Sequence, residues 1–343
     1  MVRAPQTRVP RARKPAIDAH NHLGRWLSAW VGRAGEWVVP DVGALLDLMD
    51  AVNVAAIVNL DGRWGRELEA NLERYDRAHP GRFATFGHAD WSRLADGATG
   101  VARIVASLRA SRDAGARGLK VWKDLGLGVR DERGAFVLPD DPRLADVWSA
   151  AGELGLPVLI HTADPVAFWQ PLDASNERVE ELARHPEWWF GGGEFPSWER
   201  LLDALEHAVG AHRATTFIAA HVCSSAEDLA RVDRLLSAHP NLHVDIAARI
   251  AELGRQPRAA RALIERHPDR VLFGTDRFPP DRASYQLHFR FLETLDECFG
   301  YAADPDDPWP QGRWSICALG LDEPTLAALY AGNARRLLDP LGA

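Results

Sequence analysis

Cysteine is scarce in this chain: Cys223, Cys298 and Cys317 are the only three among 343 residues, and they are widely spaced. Such spacing excludes a disulfide framework and a cysteine-rich zinc site. Also missing is any apolar run of the ~18–20 residues needed to span a membrane. Positive charge is in deficit, with 40 Lys and Arg against 48 Asp and Glu and a net charge of −8. A protein that neutralises phosphates needs a basic face, so nucleic acid is not expected as a partner. The leader from Val2 to Lys14 is basic but lacks the apolar centre of a secretory signal. A cytoplasmic protein with no membrane attachment is the expectation.

What is abundant is tryptophan, 13 residues, together with a regular alternation of short apolar runs and helical patterns. Eight runs read as strands: 17–24, 55–61, 83–90, 117–123, 157–161, 215–221, 242–246 and 270–276. Helical periodicity separates them, as in the segment from Asp41 to about Val52, where Asp41 is a plausible N-cap. Strand–helix alternation implies a parallel sheet, and eight units imply a closed (β/α)8 TIM barrel. No composition shift divides the chain. Residues 1–14 read as a basic leader, poorly ordered or packed on the surface, and 15–343 as one barrel domain. Two or three helices follow the last strand. A long aromatic insertion, Thr162 to Pro196, follows the fifth; with Phe168, Trp169, Trp188, Trp189 and Phe190 it reads as a lid or wall over the barrel mouth.

In such barrels the chemistry lies at the C-terminal strand ends. The polar residues there are His20 and His22, Asp61, His88, Lys120 or Lys123, His161, His221, Asp245 and Asp276. His20 and His22 are two apart, so an extended strand aims both imidazoles at one point. Imidazole and carboxylate suit a divalent transition ion better than magnesium or calcium. Asp61 and His88 are equally explained by capping or loop hydrogen bonds. Lys120 shares a strand face with Trp122, leaving Lys123 on the other. Pointing inward, Lys120 would be a bridging ligand or a cation for a substrate carboxylate; pointing outward, it would only snorkel. Arg249 and Arg277 could hold a substrate carboxylate bidentately. Trp122 and Trp169 fall where loops would line a substrate pocket.

Four motifs resemble the amidohydrolase superfamily in its amidohydrolase-related branch, which includes hydrolases and decarboxylases of the aminocarboxymuconate-semialdehyde type. They are Asp18-Ala19-His20-Asn21-His22, Ile160-His161, Ala220-His221 and Phe273-Gly274-Thr275-Asp276. Gly332-Asn333-Ala334-Arg335-Arg336-Leu337-Leu338 resembles the branch's closing helix. The resemblance implies that His20, His22, His161 and Asp276 bind one divalent metal, zinc first, with manganese, iron or cobalt as alternatives, and no second metal. Asp276 would double as the base that activates the attacking water, and His221 would stabilise the transition state. Some members carry a carboxylated lysine on the fourth strand; Lys120 is the matching position. The expected activity is hydrolysis of a C–N or C–O bond in a small organic molecule, with decarboxylation at the same site as the alternative. The branch also implies a homodimer.

Overall fold

The computed structural model describes residues 6–338; residues 1–5 of the leader and 339–343 lie outside the described residues. All strands are parallel and nearly all their residues are buried, which is why they read as apolar runs rather than alternating ones. They are β1 (Ala16–Asn21), β2 (Val54–Asn59), β3 (Phe83–Thr85), β4 (Gly87–His88), β5 (Leu119–Val121), β6 (Val158–Ile160), β7 (Phe217–Ala219), β8 (Leu242–Asp245) and β9 (Val271–Leu272). Pairing runs β1-β2-β3 and β4 through β9 in order. β3 and β4 are two halves of one stave, broken at Phe86. That residue's amide donates to Asn59 of β2, while Gly87 donates to Gly118 beside β5. The ring closes where Ala19 donates to Phe273 and Asp276 donates to His20. Nine segments thus form the eight staves of a barrel.

Within each stave, alternate residues separate two apolar layers. Ile17, Ala19, Ala56, Val58, Ala84, Phe86, Leu159, Ile218 and Leu272 fill the barrel interior. Their neighbours Leu119, Val121, Val158, Phe217, Val244 and Val271 join the layer between staves and surrounding helices. The helix Asn333–Leu338 brings Ala334 and Leu338 to the interior cluster and seals that end. The opposite end stays open for chemistry.

Helices begin where a side-chain acceptor meets the first free amides. Asp41 caps Val42–Val52, Ser197 caps Trp198–Ala211, Asp228 caps Leu229–Ala238 and Asp281 caps Arg282–Glu293. The C-terminal region carries the two or three helices its pattern suggests. After Arg282–Glu293 no helix forms until Glu323–Ala327, which runs through a wider turn into Asn333–Leu338. The leader lies on the barrel from Thr7, whose hydroxyl and amide donate to Asp296 at 2.6 and 2.8 Å. Ala12 is buried beside it. Among the described residues, no helix is long and apolar enough to cross a membrane.

His243 on β8 makes stability depend on pH. Burial, with help from Arg270, pushes its pKa from 6.5 down to about 4. The unfolded chain therefore takes up a proton that the native chain refuses, so stability is full above pH 6.5 and falls as pH drops toward 4. This residue alone should remove roughly 2 kcal/mol between pH 7 and pH 5. Urea unfolding of His243→Gln at the two pH values should show a drop smaller by that amount.

Candidate metal centre

At the open mouth the chain departs from regular strand geometry in ways that aim side chains. Between Asp18 and Asn21, β1 carries one residue more than its partner β2. Ile17 and Ala19 face inward, so without the bulge His20 and His22 would alternate to the outer face. The bulge turns both imidazoles into the mouth. Beyond β7, His221, Val222, Cys223 and Ser224 all adopt left-handed backbone, with φ of 59°, 57°, 58° and 52°; Asp276 beyond β9 has 53°. Such backbone costs about 1–2 kcal/mol per non-glycine residue. It persists only where surrounding contacts impose it.

The side chains converge on Asp276. His22 Nε2 is 3.4 Å and His20 Nε2 3.8 Å from its Oδ1, and His221 Nε2 is 3.9 Å from its Oδ2. That Oδ1 is buried and accepts no hydrogen bond among the described residues. The far nitrogens are engaged: His20 Nδ1 meets Asp245 at 2.8 Å, His22 Nδ1 meets Asp61 at 2.8 Å, and His221 Nδ1 meets the Ala247 carbonyl at 2.9 Å. In a neutral ring each Nδ1 then carries the proton and each Nε2 offers its lone pair to the mouth. Imidazoles oriented by carboxylates in this way are typical of metal ligands. His161 stands beside the group, its ring 4.4 Å from that of His221 and its Nε2 3.4 Å from Asp164.

Among the described residues, two sets of three donors lie within 4.8 Å of one another, His20–His22–Asp276 and His20–His221–Asp245. The first fits an ion better, because Asp245 already accepts from His20 and from the amides of His221 and Ala247. Its unpartnered carboxylate oxygen and imidazole lone pairs match the nitrogen and oxygen donors that a divalent transition ion takes.

Charge is arranged accordingly. Burial and the neighbouring Lys120 hold His20 well below the usual histidine range, and burial with His161 does the same for His221. For His22, Asp61 and Asp276 outweigh burial and raise the pKa. Burial alone would raise Asp276, but His20, His22 and Lys120 hold it well below the carboxylate range. Lys120 points inward, 3.4 Å from His20 Nε2 and 4.9 Å from the centre of the Trp122 ring. Burial brings its pKa down to about 8.

These groups form the floor of a cavity of about 570 Å³ whose walls include Trp122, Phe168, Trp188 and Phe278. The insertion after β6 supplies Phe168 and Trp188, and Trp30 from the loop after β1 stacks on Trp188 with ring centres 5.6 Å apart. Arg249 also lines the cavity, buried; among the described residues its guanidinium makes one hydrogen bond, from Nη1 to the Ala248 carbonyl at 2.8 Å.

Two expected substrate contacts do not line this cavity. Arg277 faces outward and pairs at 3.0 Å with Asp281, the cap of the following helix. Trp169 sits behind the wall, its Nε1 bonded to the Pro196 carbonyl and its ring packed on Phe190. Lys123 does reach the cavity, although period two puts it on the opposite face from Lys120. β5 ends at Val121, and Lys123 turns back to pair with Asp164. Arg63 carried no signal of its own in the sequence. It lines the cavity with its guanidinium carbon 3.6 and 4.2 Å from the ring centres of Trp26 and Trp64. His88 is buried in the wall and bonds the Leu60 carbonyl at 2.6 Å. Asp61 and Asp245 act on the histidines, a role that no local pattern marks.

Solved structures share this architecture at low identity. A 2,6-dihydroxybenzoate decarboxylase from Rhizobium is 15% identical with a TM-score of 0.58, over 95% of this chain and 98% of that one. A dihydroxybenzoic acid decarboxylase from Polaromonas, with bound manganese and the inhibitor 2-nitroresorcinol, is 14% identical with a TM-score of 0.59, over 95% and 97%. A probable 2-pyrone-4,6-dicarboxylic acid hydrolase from Acinetobacter baumannii, with citric acid bound, is 11% identical with a TM-score of 0.51, over 94% and 99%. No curated protein matches the chain. A family model described as Amidohydrolase matches residues 17–339, and the chain belongs to that family.

Proposed function

We propose that the protein is a metal-dependent decarboxylase of small aromatic carboxylic acids. The observation that carries this reading is Arg249: a buried guanidinium on the cavity wall with no carboxylate in ion-pair reach among the described residues. Glu227, Asp164 and Glu181 act on it only from beyond ion-pair distance, so a substrate carboxylate is the direct partner this site lacks. The indole and phenyl walls suit a flat ring. Two of the solved structures named above are decarboxylases of dihydroxybenzoates, which supports the same direction.

His20, His22 and Asp276 would hold one divalent ion, zinc or manganese, with His161, whose Nε2 lies 3.4 Å from Asp164, as the fourth candidate ligand. When bound, it supplies Lewis acidity toward the oxygens of the substrate. The chain's own groups do the rest. Arg249 and Lys120 orient the carboxylate, and His221, whose proton sits on Nδ1, accepts through Nε2 from a ring hydroxyl. Asp276 passes a proton taken from water to the ring carbon that bears the carboxylate, and the hydroxide left behind ends as bicarbonate with the released CO2. The C–C bond then breaks, its electron pair restores the aromatic ring, and CO2 leaves.

A panel of hydroxylated benzoic acids and of lactones, assayed for CO2 release and for ring opening, tests the assignment. CO2 from the acids is the expected result; ring opening of lactones without CO2 would replace decarboxylation by hydrolysis. Arg249→Met should raise KM for the acid substrate about 10–100-fold, the worth of a charge-assisted hydrogen bond of roughly 1.5–3 kcal/mol, with a smaller fall in kcat. An unchanged KM would remove Arg249 as the anchor.

A further inference from the structure

Asp245 touches two of the histidines at the site without facing the point where their Nε2 atoms converge. Its side chain is fully buried at the end of β8. Oδ2 accepts from His20 Nδ1 at 2.8 Å, while Oδ1 accepts from the backbone amides of His221 at 2.9 Å and Ala247 at 3.1 Å. The His221 amide is the first in the left-handed run His221–Ser224, which includes a β-branched valine. Such a run relaxes unless held at both ends. Ser224 Oγ, accepting from Ala163 at 3.2 Å, ties the far end. The Asp245 carboxylate ties the near one.

We propose that Asp245 is a positioning residue that couples the two histidines. One oxygen sets the tautomer and ring plane of His20; the other pins the strained turn that aims His221. The proposal rests on the reading that His20 binds a divalent ion through Nε2. Asp61 provides the internal contrast. It orients His22 through Oδ1 alone, and among the described residues its Oδ2 has no partner and no backbone amide donates to its carboxylate. The two carboxylates therefore have different consequences when lost.

In Asp245→Asn the amide oxygen can keep both backbone amides, so the turn stays pinned, but an NH2 group now faces His20 Nδ1. Two donors cannot share a hydrogen bond. His20 then carries its proton on Nε2, and the lone pair leaves the mouth. Zinc affinity, measured by competition with a chromophoric chelator, should fall about 10–100-fold. The far-UV circular dichroism and unfolding midpoint should stay near wild type. In Asp245→Ala the turn is also released, so metal-saturated enzyme should lose kcat beyond the loss in Asp245→Asn. Asp61→Asn should weaken zinc binding without that additional loss. Nitrogen-15 NMR of metal-free protein should show His20 as the Nδ1–H tautomer in wild type and as Nε2–H in Asp245→Asn. Wild-type zinc affinity in Asp245→Asn with His20 still protonated on Nδ1 would overturn the proposal. Because the tautomer is read without metal, it decides the role of Asp245 even if wild-type protein binds no ion, a result that would sink the metal reading instead.

Discussion

Asp276→Asn should lower kcat by about 10³-fold or more while leaving the barrel folded, because on the proposed function it removes both a proton carrier and an anionic donor. Asparagine is the informative replacement. Asp276 has φ of 53°, and asparagine tolerates left-handed backbone better than other non-glycine residues. The backbone amide that closes the ring by donating to His20 at 2.8 Å is unaffected. What disappears is a negative charge surrounded by His20, His22 and Lys120, the groups that hold this carboxyl ionised despite its burial. Without it three basic groups face one another across the cavity floor. Steady-state rates on a substrate found in the panel, with a thermal unfolding curve for each protein, check the expectation. Activity within tenfold of wild type would remove Asp276 as the proton carrier. A lowered unfolding midpoint with a proportionate loss of rate would make its role structural.

The stave pattern and four of the histidines were legible because each property is local. A parallel strand buried on both faces leaves a run such as Val158–Ile160, and a polar terminator such as His161 is conspicuous after it. The means by which those residues are aimed are not local. The bulge at Asp18–Asn21 depends on pairing with β2, and the left-handed turn at His221 depends on a carboxylate 24 residues away on another stave. The partners of His20 and His22 lie 225 and 39 residues distant. No spacing rule links them, so Asp61 and Asp245 could be placed at strand ends on the mouth but not assigned to His22 and His20. Arg277 shows the opposite error. Adjacency to Asp276 suggested a site residue, but the cap at Asp281, four residues on, offers a nearer carboxylate. The aromatic insertion was identifiable as a wall, yet which rings face inward was decided by packing. Trp188 lines the cavity, whereas Trp169 is drawn back by its bond to Pro196.

That wall is anchored by a buried charge cluster, and Arg178→Met should release it at a cost of about 3–5 kcal/mol in urea unfolding. Arg178 is fully buried at the start of Val179–Arg184 within the insertion. Its guanidinium donates to Glu181 at 2.7 Å and to Glu252, which lies on Ile250–Arg255 against the barrel. Methionine approximates the volume but leaves two carboxylates buried with no cation. The folded protein would relieve this by taking up protons, so both carboxyls would titrate above their unfolded values. Burial already raises Glu181 with the arginine in place. Groups whose folded pKa is raised stabilise below the unfolded value and lose that contribution as pH climbs through the folded one. The deficit of Arg178→Met should therefore be larger at pH 8 than at pH 5. Replacing Glu252 by glutamine in the same chain should recover part of it. Phe168 and Trp188 belong to the loosened segment, so KM should rise with little change in kcat. A deficit under about 1 kcal/mol, the range of an exposed pair, would mean that the cluster does not anchor the insertion. A full deficit with unchanged KM would mean that the wall does not grip the substrate.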